Sequence, residues 1–196
     1  MKKKFLITLS VVVCAILLVV GSIAGTIAYL TSQDTVTNTF TVGNVEITMD
    51  ETDVDVYGEK DTETRVKENT YKLLPGHSYI KDPVIHVKKG SEECWLFVKV
   101  VDQLSDIEAS KTVEEQLTEN GWTKLGGADN VWYHAKVDAR AATADVDVKV
   151  FENFNVKNEA DVSAYAGKTI VVTAYAIQAD GFDTAALAWD ASGFGN

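Results

Sequence analysis

The chain has 196 residues, 29 acidic and 18 basic, for a net charge of −11. Such an acidic surface repels phosphate backbones and anionic lipid headgroups, which argues against nucleic acid as a partner. The two cysteines, Cys14 and Cys94, are too few for a disulfide framework.

The N-terminus opens with Met1, Lys2, Lys3 and Lys4, followed by an apolar run from Phe5 to Val20 and a small-residue stretch from Gly21 to Ala28. Positive start, apolar centre and small-residue exit are the parts of a secretory signal. Thr26 and Ala28 occupy positions −3 and −1 of a cut before Tyr29. The alternative is an uncleaved anchor, since Phe5 to Leu30 is long enough to span a bilayer at about 1.5 Å per residue. Either way the three lysines stay on the cytoplasmic side and the remainder lies outside. The expectation is therefore a signal over 1–28, a single domain over 29–196, and a secreted or cell-surface location. Membrane contact is expected only through an uncleaved signal. Residues 1–28 hold three lysines and no acid, so the mature chain has 168 residues, 15 basic and 29 acidic, with a charge of −14. Cys14 follows Val13, which is not a lipoprotein setting, and Cys94 reads as a buried thiol.

Residues 35–50 alternate with period two, first through Thr37, Thr39 and Thr41, then through Val45, Ile47 and Met49. Gly43-Asn44 between them suits a bulge or bend, because both residues tolerate positive φ. Residues 51–70 are polar, with Val54 and Val56 closing the first strand and a loop or short hairpin arm beyond Gly58. Pro75-Gly76 is a turn signal. Pro83 starts a strand carrying Ile85 and Val87. The segment 94–101, CWLFVKVV, is apolar on both faces and belongs inside a sheet. Residues 105–120 change period and predict one or two helical turns, capped at Ser105 or Ser110 and stopped by Gly121. A hairpin is expected over 122–137, one strand over 145–156, and a last long strand over 169–178. The tail carries Phe182, Leu187 and Trp189. Seven to nine strands, one short helix and no βαβ rhythm predict an all-β protein, an antiparallel β-sandwich.

Chemistry-bearing motifs are sparse. His77, His86 and His134 match no HExxH pattern, no GxSxG occurs, and Cys94 has no Cys-His signature. The alternating acids Glu51, Asp53 and Asp55, with Asp145 and Asp147, would suit a solvated face or a calcium ligand set. No catalytic residue, metal ligand or cofactor is assigned. The threonine-rich segment 31–44 directly behind the signal can pair within its own sheet or with the open edge of a neighbour.

The segment GTIAYLTSQDTVTNTFTVGNVEITMDE closely resembles the N-terminus of the camelysin/TasA-type family of exported proteins of Gram-positive bacteria. YKLLPGHSYIKDPVIHV and AYAIQADGF resemble two further blocks, so the resemblance covers nearly the whole chain. It implies a jelly-roll-like β-sandwich, export through a dedicated signal peptidase, and a structural subunit of extracellular or cell-surface biofilm matrix fibres. Assembly would proceed as a homo-oligomer or fibre by N-terminal strand addition, with minor matrix partners. Phe40, Val42, Val45 and Ile47 would be strand anchors, and Gly43 would set backbone geometry. The alternatives are a surface zinc metallopeptidase of camelysin type, using His77, His86 or His134, and a non-polymerising cell-surface binding module.

Overall fold

The computed structural model describes residues 2–30 and 43–194, with the side chains of residues 8 and 19–30 excepted. Two compact units emerge, residues 1–41 and residues 42–196. In the first, helix α1 (Lys2–Leu30) runs 29 residues. Its described apolar side chains are exposed, Phe5 and Leu18 among them. Among the described residues, no helix is long and apolar enough to cross a membrane.

Among its described residues, the second unit contains ten strands and two further α-helices. Strands β1 (Ile47–Val54), β2 (Lys60–Val66), β4 (Val84–Val87) and β8 (Val146–Lys149) form one sheet in the order β2-β1-β4-β8. Strands β5 (Cys94–Asp102), β6 (Thr123–Lys124), β7 (Val131–Tyr133) and β10 (Ile170–Gln178) form the other, in the order β10-β5-β7-β6. A ribbon pairs β3 (Ser78–Ile80) with β9 (Asn153–Asn155), placing Tyr79 opposite Phe154. Every ladder is antiparallel.

The alternation at 94–101 has the consequence expected of it. Cys94, Leu96, Val98 and Val100 share the main core with Ile85, Val87 and Val148 of the first sheet. Phe97 points the other way, into a second cluster with Val131, Leu125 and Trp189. That second face needs a cover, and helix α3 (Ala185–Ser192) supplies it through Ala185, Ala188 and Trp189. Thr184 caps α3 by accepting from the Leu187 N–H, and Gly193 closes it at φ 73°. Trp189 packs against Phe97 at 5.1 Å and Tyr175 at 5.6 Å between ring centroids. Helix α2 (Val113–Glu119) starts at a capping box formed by Thr112 and Glu115, downstream of the expected Ser105 and Ser110. Gly121 follows it at φ 85°, as the stop signal requires.

The all-β jelly roll is overturned. The fold is mixed α/β: three helices of 29, 7 and 8 residues accompany sheets that stay open, each ending in two distinct edge strands. The apolar N-terminal run is a helix, and the C-terminal tail forms a helix packed on the second sheet. The resemblance to camelysin and TasA carried a jelly roll with it, and this topology contradicts that assignment. The matrix-fibre subunit built on that sandwich is withdrawn with it, and the non-polymerising surface module loses the sandwich it was framed on.

Smaller departures have local causes. The stretch 145–156 is two strands, β8 and β9. Gln116 of α2 breaks it: its Oε1 accepts from the N–H groups of Glu152 and Asn153, both at 3.0 Å, and its Nε2 donates to the Asn153 carbonyl at 2.7 Å. Residues 60–66, read as a loop or hairpin arm, form the edge strand β2. Gly43 and Asn44 do not adopt positive φ, whereas Gly76 does, at 71°.

Candidate functional site

A cavity of about 590 Å³ lies between the segment after β2, the β3–β9 ribbon, and the turn entering β10. Tyr71, Tyr79 and Phe154 pack together along it, and Val162, Tyr165 and Ile170 also line it. Lys81 and Asn69 supply its inner polar groups, and Lys168 and Thr169 lie at its exposed rim. A smaller cavity of about 330 Å³ shares Asn69, Lys81, Thr169 and Ile170 with it.

The walls are held by their own hydrogen bonds. Tyr79 is 2% exposed; its hydroxyl donates to the Lys72 carbonyl and accepts from the Leu74 N–H, both at 2.7 Å. Tyr71 donates to the Ile80 carbonyl at 3.0 Å and meets Tyr79 edge-on at 5.5 Å. Burial, aided by the nearby Glu51 charge, pushes the Tyr71 phenol far above its ordinary 10.0, so it stays neutral. Gly58 fixes the position of Tyr79 from behind. Its φ is 77°, and an added Cβ would fall 2.8 Å from the Tyr79 Cα.

Between the two cavities lies a buried ion pair. Lys81 Nζ donates to Glu51 Oε2 at 2.8 Å. Asn69 Nδ2 donates to Glu51 Oε1 at 3.0 Å and to the Thr52 carbonyl at 2.8 Å. Both Glu51 oxygens are thus occupied. The Lys81 ammonium makes one hydrogen bond to protein among the described residues, leaving two N–H donors without one.

A second polar cluster lies on the first sheet, and its Asp50 also lines the smaller cavity. His86 on β4 stands between Asp147 of β8 and Asp50 of β1, with Nδ1 2.6 Å and Nε2 3.0 Å from a carboxylate oxygen. Arg65 of β2 bonds Asp50 and also pairs with Asp82 at 3.3 Å. Burial opposes the His86 charge, but the bonds to Asp50 and Asp147 outweigh it and hold its pKa above the ordinary 6.5.

The residues singled out in the sequence do not converge. His77 Nε2 donates to the Tyr57 carbonyl at 2.6 Å, and His134 Nδ1 donates to the Ala135 carbonyl at 3.0 Å. With His86 held between two carboxylates, the three histidines serve three local structures. Among the described residues, no group of three or more His, Cys, Asp or Glu is placed to hold a metal. The zinc metallopeptidase is therefore overturned. The acids of the alternating strands each have donors of their own: Thr62 and Thr64 for Asp53, the N–H groups of Tyr57 and Glu59 for Asp55, and Lys88 for Asp145. Cys94 is fully buried, and burial raises its thiol to about 11.

Of the proposed assembly residues, Phe40 and Val42 lie outside the described residues. Val45 and Ile47 are half-buried against the main core, and the position of a Gly43 Cβ would fall 2.6 Å from Glu92 Cγ. No residue of the large cavity was singled out in the sequence. Its polar groups come from positions 69, 81 and 168, and no motif spans them. The available signal was local: Tyr71, Tyr79, Lys72 and Lys81 flank Pro75-Gly76. No protein-family model, curated protein or solved structure matches this chain.

Proposed function

We propose that the chain is an outward-facing binding domain that takes a small ligand in the cleft beside Tyr71 and Tyr79. The observation that carries this reading is the cleft's construction. Rigid aromatic walls converge on a few polar groups that have hydrogen-bonding capacity left over, the usual make-up of a small-molecule site. A volume of about 590 Å³ falls in the ordinary range for such sites. The outward placement rests on the N-terminal pattern: three lysines, an apolar run, and small residues before Tyr29.

Saturation-transfer NMR with a library of small amphipathic fragments tests the reading on the full-length protein. Hits are expected, and Ala166→Trp is expected to abolish them by filling the cleft from its exposed edge. Hits that survive Ala166→Trp unchanged, or a library with none, would remove the cleft as the site.

A further inference from the structure

Charge is distributed unevenly around the cleft. The chain carries 29 acidic side chains and a net charge of −11, yet none of the residues lining the large cavity is Asp or Glu. Among the described residues, the charged ones lining it are Lys81 and Lys168. The acids nearby, Asp50, Glu51 and Glu68, line the smaller cavity instead. Glu51 has both oxygens satisfied by Lys81 and Asn69. It therefore acts as an orienting partner, fixing the ammonium at the cleft while two N–H groups have no acceptor among the described residues.

The rest of the lining is apolar or internally satisfied. The hydroxyls of Tyr71 and Tyr79 are committed to backbone groups, so the two residues offer the cleft ring carbon, and the Lys81 ammonium stands 6.0 Å from the Tyr71 ring centroid. Leu73, Val162 and Ile170 extend that surface. A ligand that fits has an apolar body for these walls and one anionic end for the two lysines. A cationic ligand would meet like charge, and a neutral polar one would leave the ammonium donors weakly used.

Building on the reading of the cleft as a small-ligand site, we infer that its ligand is a small amphipathic monocarboxylate, an aryl- or alkyl-substituted acid whose carboxylate is received by Lys81 and Lys168. No bond is made or broken; the step is binding alone. Lys81 supplies two charge-assisted hydrogen bonds from a partly desolvated position, and Lys168 at the rim draws the anion in. The strongly negative remainder of the surface discourages anions elsewhere, so binding is confined to this opening.

The test uses full-length protein and three isosteric probes: 3-phenylpropionate, 3-phenylpropanol and 3-phenylpropylamine. Dissociation constants are measured by NMR titration at low and high salt. The acid is expected to bind at least about tenfold more tightly than the alcohol, as charge-assisted bonds imply. The amine is expected to bind more weakly than either, and the acid's advantage should shrink as salt rises. Lys81→Met should bring the acid down to the level of the alcohol. Because that change strands Glu51, the paired variant Glu51→Gln/Lys81→Met is measured beside it, with the same loss expected in a balanced site. Lys168→Gln should weaken the acid alone and reduce its salt dependence.

Equal binding of acid and alcohol, with both lost in Ala166→Trp, would overturn the carboxylate assignment and leave the cleft as a site. Full acid preference in the paired variant would do the same. Failure of all three probes to bind would overturn the assignment, and an empty fragment screen beside it would also remove the underlying reading.

Discussion

Lys81 Nζ lies 2.8 Å from Glu51 Oε2, with the two side chains 14% and 6% exposed. The pair joins β1 to the segment between β3 and β4, and it stands where the two cavities meet. Its stabilising value depends on its completeness: a buried charge is tolerated only while its partner remains.

Lys81→Met therefore leaves the Glu51 carboxylate with Asn69 as its remaining donor. The expected loss is about 3 kcal/mol of unfolding free energy. Glu51→Gln/Lys81→Met removes both charges and should return to within about 1 kcal/mol of the parent. Urea denaturation of the parent and both variants measures the difference. Equal destabilisation by the single and paired changes would show that packing, not charge, holds this position.

His86 links stability to pH through the sheet β2-β1-β4-β8. Its pKa is raised in the folded state, so its stabilising contribution is complete below the unfolded value near 6.5 and fades as pH rises through the folded value. His86→Gln should lower the melting temperature at pH 5.5 and have a smaller effect at pH 8.5. A variant equally destabilised at both values would sever the link.

Glu108 works in the same direction by a different cause. It is 7% exposed, and burial raises its carboxyl to about 7, partly offset by the hydrogen bond from the Val113 N–H at 2.9 Å. Below the ordinary 4.5 the folded and unfolded forms are both protonated and no penalty exists. Between 4.5 and about 7 the unfolded chain ionises first, and the penalty grows to about 3 kcal/mol, then levels off. Glu108→Gln keeps an acceptor for the start of α2 and removes the charge. It should be neutral at pH 4 and stabilising at pH 8, by thermal unfolding at each pH. Destabilisation at pH 8 would mean that the carboxylate is needed ionised.

The N-terminal pattern makes a separate forecast. Expression in a secreting Gram-positive host, followed by mass spectrometry of the protein outside the cytoplasmic membrane, should find a chain starting at Tyr29. Protein retained with Met1 or Lys2 at its start would support the anchor alternative, and protein found only in the cytoplasm would defeat both.

What was legible in the residues were the features written into a short stretch. Period-two alternation located β1, because facing directions alternate strictly along a strand, and long apolar runs located β5 and β10. Pro75-Gly76 and Gly121 marked a turn and a helix end, because few residues accept their backbone angles. The both-faced apolarity of 94–101 announced a strand covered twice. It did not say what covers the second face. That cover is α3, whose eight residues are too few to declare a helix without the Phe97 and Tyr175 rings to pack on.

By itself the sequence determined the long strands β1, β5 and β10, two turns, and an acidic, cysteine-poor chain held by its core. Only the tertiary structure decided the class of the fold, the division of 145–156 by Gln116, and the site. Those depend on contacts between residues tens of positions apart, such as Glu51 with Lys81, or Gln116 with Asn153. A carboxylate on a strand is a solvated acid in one fold and the buried partner of a lysine in another. The difference lies in what the chain brings against it.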